Sequence, residues 1–119
     1  MPPLADAEIR EKILEALSKS ERGDGVLWHR LAAERLREFL PDMSPREVNQ
    51  MLRAWVEGNQ EISQVVESRE EYRHEHLFHY DFRIPIGGTR FYIEGRLIED
   101  RRDDPEFYVV NFKPVDSLI

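Results

Sequence analysis

The stretch that decides the fold is LFHYDFRIPIGGTRFYIEGRLI, residues 77–98. Apolar and polar side chains alternate on both sides of Gly87-Gly88, and a period of two is typical of half-buried β-strands. Paired glycines adopt the positive φ angles of a two-residue hairpin turn at little steric cost. The stretch therefore predicts two antiparallel strands, about Leu77–Pro85 and Arg90–Ile98, joined by a tight turn.

The same alternation assigns side chains to the two faces of the predicted sheet. Phe82 and Ile84 fall on one face, whereas His79, Asp81 and Arg83 fall on the other. A third run of strand-forming residues, Glu106–Phe112, extends the hairpin to an antiparallel meander. The main core candidates are Phe78, Tyr80, Phe82, Ile84, Phe91, Ile93, Leu97, Val109 and Phe112.

Three helices are predicted before the strands. Asp6 is a suitable N-cap for the first, and the second covers about Trp28–Phe39. The third starts at Ser44-Pro45-Arg46-Glu47, which has the residue types of a capping box, and stops at Gly58. The fold class is α+β in one domain, residues 1–119, with a helical half at about 6–58 and a meander at about 77–113. Residues 60–76 give no clear pattern.

Composition limits the possible functions. The 119 residues include no cysteine, which excludes a disulfide framework and thiolate metal ligands. No signal peptide or apolar membrane span is visible, so the expected location is cytoplasmic, without membrane association. The formal net charge of -7 lowers the expectation of nucleic-acid binding, because phosphate contacts dominate such affinity.

Two local patterns suggest a binding site. His74 and His76 would share a strand face that can approach a metal, but no further ligand completes the site, so no metal or cofactor is expected. Three helices followed by a hairpin also outline a winged helix, in which the third helix would read DNA. The outward positions of that helix are predicted to be Arg46, Asn49, Gln50 and Arg53.

A family resemblance rests on the order of four stretches. They are Ser44-Pro45-Arg46-Glu47-Val48, the strand Phe78 to Pro85 with its Gly87-Gly88 turn, Phe91-Tyr92-Ile93-Glu94, and Val109-Val110-Asn111-Phe112-Lys113. This order resembles the MqsR-type toxins, a branch of the RelE-like mRNA-cleaving toxins, over most of the chain after the first helix. The resemblance implies metal-independent endoribonuclease activity.

Members of that family cleave RNA with Tyr, Gln and Lys side chains. The resemblance carries the Tyr onto Tyr92, the Lys onto Lys113 and the position of the Gln onto His79. Attack by a ribose 2′-hydroxyl needs a base, an acid and a cation, and these residue types suit those roles. The RNA-binding residues expected beside them are Arg83, Arg90 and Arg96.

The expected partners are RNA or a protein such as an antitoxin, and homo-oligomerisation is left open. Catalysis itself is also left open, because the chain is acidic where the family is usually basic. The alternative is a non-catalytic binding or regulatory module, either winged-helix-like or protein-binding. If the chain cleaves RNA, His79, Tyr92 and Lys113 are expected on one exposed face of the sheet.

Overall fold

The computed structural model describes residues 3–19, 25–69, 78–98 and 105–116 and confirms the α+β class. Three helices precede most of the sheet, and among the described residues no helix is both long and apolar enough to cross a membrane. The helices are α1 (Ala7–Ser18), α2 (Arg30–Phe39) and α3 (Pro45–Glu57). The strands are β1 (Val26–Trp28), β2 (Ser63–Val66), β3 (Phe78–Ile86), β4 (Thr89–Ile98) and β5 (Glu106–Pro114).

The five strands form one mixed sheet in the order β1-β5-β4-β3-β2. The predicted meander is present: β3 pairs antiparallel with β4, and β4 with β5. Gly87 and Gly88 have φ angles of 59° and 85° and form the predicted turn, with Arg83 opposite Tyr92. The outer strands β2, antiparallel to β3, and β1, parallel to β5, were not predicted.

One face of the sheet packs on the helices and forms the core. Phe82, Phe107 and Phe112 have no exposed surface there, and Tyr80 and Phe91 are nearly as buried. All nine predicted core residues lie in this core or pack against it, with Phe78 and Leu97 partly buried. The alternation in residues 77–98 therefore assigned the faces of β3 and β4 correctly.

The bounds of the helices follow from their caps. Asp6 Oδ1 accepts hydrogen bonds from Glu8 N at 2.9 Å and from Ile9 N. Ser44 and Glu47 form the predicted capping box at the start of α3, and Gly58 is its C-cap. The predicted start of the second helix at Trp28 was wrong, because Val26–Trp28 pairs with β5. The α2 helix begins only after its N-cap His29, whose Nδ1 accepts from Leu31 N.

The outward positions of the third helix and the hairpin differ from those predicted for a winged helix. Asn49 does not point outward: it is 7% exposed, and its Oδ1 accepts a hydrogen bond from Trp28 Nε1 at 2.9 Å. Arg53 pairs with Glu57 along the helix. The hairpin joins two interior strands of a five-stranded sheet, so it is not a separate two-stranded wing. Of the four predicted base-reading positions, only Arg46 and Gln50 are exposed.

Candidate functional site on the polar face of the sheet

The sheet face that points away from the core carries buried charges. We call it the polar face. Asp81 is 1% exposed, Arg96 3%, and Glu67 and Glu94 4% each. Charged side chains are almost never this deeply buried unless they are paired. Their burial marks this face as the unusual feature of the molecule and as its candidate functional site.

Six side chains on the polar face make an ion cluster, and Arg69 is its central cation. The Arg69 guanidinium donates to both oxygens of Glu67, at 2.8 and 2.9 Å, and to Glu94 Oε2. Arg96 lies 3.5 Å from Glu67 Oε2. The members of the ion cluster are Glu67, Arg69, His79, Asp81, Glu94 and Arg96.

His79 and Asp81 form the second half of the ion cluster. His79 Nδ1 lies 2.8 Å from Asp81 Oδ1, and the imidazole is 13% exposed. The hydrogen bond to Asp81 raises the pKa of His79 in spite of its partial burial, and the charges of Asp81, Glu94 and Glu67 act in the same direction. A protonated imidazole is therefore favoured at this position.

The arginines set the charge state of Glu67. Hydrogen bonds from the Arg69 side chain and backbone hold the pKa of Glu67 at about 2, against the opposing effect of its burial. The cluster holds three carboxylates and two guanidinium groups, so protonation of His79 brings its formal charge to zero. Neutrality of this kind explains how the sheet accommodates so many buried charges.

A pocket adjoins the ion cluster, and Glu94 belongs to both. We call it the Tyr92 pocket: it has a volume of about 300 Å³. Lys113 Nζ lies 5.5 Å and Arg83 Cζ 5.7 Å from the centre of the Tyr92 ring, close enough for cation–π attraction. The residues that line the pocket are Arg83, Tyr92, Glu94, Asn111, Lys113 and Val115.

Sheet register explains why the two cations meet at Tyr92. Arg83 on β3 and Lys113 on β5 are its direct cross-strand partners, one on each side. The Tyr92 hydroxyl donates to Glu94 Oε1 at 3.1 Å. Burial raises the pKa of Tyr92, and the nearby charges of Asp81 and Glu94 raise it further. The phenol thus keeps its proton and acts as a hydrogen-bond donor.

The structure separates the three predicted catalytic residues into two neighbouring groups. The expected exposed face was wrong, because all three are partly buried. Tyr92 and Lys113 are together in the pocket, as register partners on one face. His79 shares that face but lies four residues along β3 from Arg83, about 13 Å at the usual rise per residue. Glu94 connects the groups, because it bonds to Tyr92 and lies within 4.8 Å of the His79 ring.

The three predicted RNA-binding arginines have different surroundings. Arg83 lines the Tyr92 pocket and also donates to Ser63 Oγ at 3.2 Å. Arg90 is exposed at the start of β4. Arg96 is buried in the ion cluster, which keeps its guanidinium away from a ligand at the surface.

Several residues of the site had no predicted role. Glu67 and Arg69 follow β2, which lies in a segment without a clear pattern, so nothing placed them beside Glu94. Asn111 accepts a hydrogen bond from Arg35 of α2 at 3.1 Å. The available signal was the run Ser63, Val65, Glu67, whose spacing of two continues one strand face. The histidines His74 and His76 lie outside the described residues.

Comparisons with known proteins found no relative of this chain. A scan against models of protein families found no match to the chain. Searches of curated proteins and of solved structures also returned no match. The residues of the polar face are therefore the basis for assigning a function.

Proposed function

We propose that the Tyr92 pocket binds a phosphodiester of single-stranded RNA, and that the protein is a diverged RelE- or MqsR-like endoribonuclease that needs no metal for cleavage. The observation that carries the proposal is the placement of Arg83 and Lys113 on the two sides of Tyr92, at a pocket that also contains Glu94. Cations, a hydroxyl donor and a carboxylate are the groups that phosphodiester cleavage requires.

Phosphate binding is favoured by the difference between the two cations. The planar Arg83 guanidinium can donate two parallel hydrogen bonds to phosphate oxygens, whereas the Lys113 ammonium is a compact charge. Both come from interior strands, and the sheet holds them at a fixed separation. A preorganised pair of cations can serve one phosphate even though the whole chain carries a net charge of -7.

The proposed reaction is attack of the ribose 2′-oxygen on the adjacent phosphorus. Glu94 takes the proton of the 2′-hydroxyl, the bond from phosphorus to the 5′-oxygen breaks, and Lys113 donates a proton to that leaving oxygen. The products are a 2′,3′-cyclic phosphate and a free 5′-hydroxyl. Arg83 stabilises the charge that develops on the phosphoryl oxygens, and the Tyr92 hydroxyl holds Glu94 in place.

His79 has a supporting place in this proposal. Its ring lies within 4.8 Å of Glu94 and is fixed by Asp81, so it is a positioning residue.

The test is expression of the wild-type chain in a bacterium, with growth and integrity of mRNA as readouts. Wild type is expected to arrest growth and fragment mRNA, whereas Lys113→Ala and Arg83→Ala are expected to do neither. Lys12→Ala, which removes a lysine on α1 away from the pocket, is the matched control and should behave as wild type. Cleavage would be refuted if mRNA stayed intact while the wild-type chain was expressed at a level at which a reference toxin is active.

A non-catalytic protein-binding module is the second candidate. The specific observation in its favour is the edge strand β1, where Leu27 is 44% exposed. A sheet edge with an exposed apolar side chain can pair with a strand of another chain. Intact mRNA together with loss of RNA binding in vitro would leave this candidate as the better interpretation.

A further inference from the structure

We propose that Glu67, His79 and Glu94 form a binding site for a divalent transition-metal ion, with Arg69 occupying the place of the ion when no metal is bound. The site shares Glu94 and His79 with the proposed site of RNA cleavage, which uses no metal. Its three ligands come from β3, β4 and the segment after β2.

The three side chains are already close to a coordination geometry. One ligand atom from each lies within 4.8 Å of the others, and both carboxylates are almost fully buried. Zinc in proteins is almost always tetrahedral with bonds of about 2.0–2.1 Å, so two of its ligand atoms lie about 3.4 Å apart. The side chains would therefore have to move inward by up to about 1.4 Å to place all three ligand atoms on one ion.

Asp81 provides the second observation. Its Oδ1 holds His79 Nδ1 at 2.8 Å, which leaves Nε2 as the nitrogen that can bind a metal. A carboxylate behind a ligating imidazole is the usual arrangement that fixes the ring in metal sites. Asp81 is 1% exposed, and its Oδ2 has no hydrogen-bond partner within the described part of the chain. The negative charge of Asp81 favours positive charge at the His79 ring that it contacts.

Arg69 shows where positive charge is needed between the two glutamates. Its guanidinium bridges Glu67 and Glu94, while its side chain is 41% exposed and has access to solvent. Movement of Arg69 into solvent would remove one positive charge, and an ion that carries two would replace it.

The types of ligand atom determine which metal ion is expected to bind. One imidazole and two carboxylates suit Zn²⁺ or Mn²⁺, whereas Mg²⁺ and Ca²⁺ prefer sites made of oxygen ligands. Calorimetric titration with ZnCl₂ is therefore expected to show one site in the wild-type protein. MgCl₂ at the same concentrations is expected to show none.

Variants then assign the site. Arg69→Ala is expected to bind Zn²⁺ at least tenfold more tightly than wild type, because the competing cation is gone. His79→Gln and Glu94→Gln are expected to bind it at least tenfold more weakly. Arg53→Ala removes an arginine that pairs with a glutamate on α3, so it is the matched control and should leave the affinity unchanged.

Circular dichroism of each variant checks that it folds. If Arg69→Ala does not fold, Arg69→Gln replaces it in the titration. The proposal is overturned if removal of Arg69 leaves Zn²⁺ affinity unchanged or weaker. It is also overturned if His74→Gln/His76→Gln loses affinity as strongly as His79→Gln. Arg83 and Lys113 are not ligands, so failure of RNA cleavage in their variants gives a separate result.

Discussion

Both faces of the sheet bury side chains, but the helix face buries apolar side chains and the polar face buries charged ones. On the helix face, burial of Phe82, Phe107 and Phe112 needs only complementary shape, because these side chains have no polar groups that require a partner. On the polar face, Asp81 and Glu94 are buried as deeply, and each needs compensating charge. Well-packed apolar residues often stabilise such positions as well or better, so buried ions suggest a role beyond stability.

Strand β4 allows the two faces to be compared directly, because successive residues of this strand point to opposite faces. Ile93 lies in the core, whereas Glu94 next to it binds Tyr92 and Arg69. The two faces should therefore respond differently to substitution. Variants of the helix face should be sensitive to volume and insensitive to pH, and variants of the polar face should show the reverse.

The largest effect is expected from Gly95→Ala on the helix face. A Cβ at Gly95 would lie 2.1 Å from Cζ of Phe107, whose ring fills the space above the glycine. The ring would have to move within a filled core, and overpacking of this kind costs about 3 kcal/mol. Urea unfolding should show this loss of stability with the same value at pH 6 and pH 9.

Gly87→Ala is a useful contrast to that variant. A Cβ there meets nothing within 4 Å, so its cost comes only from the φ angle of 59° and should be about 1 kcal/mol. Equal losses for the two glycine variants would contradict the packing explanation for Gly95.

An intermediate effect is expected from Arg69→Ala on the polar face. Glu67 and Glu94 would keep their burial and lose their principal cation. Breaking a fully buried pair costs several kcal/mol, but the Arg69 side chain is 41% exposed, so solvent screening reduces the loss to about 1–2 kcal/mol.

The pH dependence of the Arg69→Ala variant has a definite sign. Because the pKa of Glu67 is lowered to about 2, its pairing stabilises the fold above the unfolded pKa and is lost as pH falls. The difference between wild type and variant, measured by urea unfolding, should therefore shrink between pH 5 and pH 2. A difference that stays constant over this range would be inconsistent with the ion cluster.

A smaller pH-dependent effect than that of Arg69→Ala is expected from Asp81→Asn, and it is lost as the pH rises rather than as it falls. The pKa of His79 is raised chiefly by Asp81, so their pairing contributes fully below the unfolded pKa and is lost as pH rises through the folded pKa. Thermal unfolding should show a loss about 1 kcal/mol larger at pH 5.5 than at pH 9. A larger loss at pH 9 would contradict the assignment of a protonated His79.

The sequence predicted the helix face well and the polar face only in part. Alternation placed His79 and Arg83 on one face of the first strand, because side-chain direction in a strand follows from its period of two. Tyr92 was expected to share that face if the hairpin register allowed it, and the register does. Register placed Lys113 beside Tyr92, as expected for consecutive antiparallel strands. The capping residues Asp6 and Ser44 were also readable, since their chemistry is local.

What could not be predicted depends on contacts between distant segments. Strands β1 and β2 have three and four residues, too few to show a period, so the two edges of the sheet were missed. The ion cluster depends on Arg69 reaching Glu94, 25 residues along the chain. Pairing of single charged residues leaves no periodic pattern, and only the folded arrangement shows it.

The most direct test of the proposed RNA-binding site is the affinity of the Tyr92 pocket for RNA. Fluorescence anisotropy with a labelled ten-nucleotide RNA, 2′-O-methylated so that it cannot be cleaved, should be compared between wild type and Arg83→Ala/Lys113→Ala over a range of salt concentrations. We expect at least tenfold weaker binding by the variant and a salt slope reduced by about 0.7, because the two cations neutralise one phosphate of the single strand. Equal affinity and equal slope for the two proteins would contradict the assignment of this pocket as an RNA-binding site.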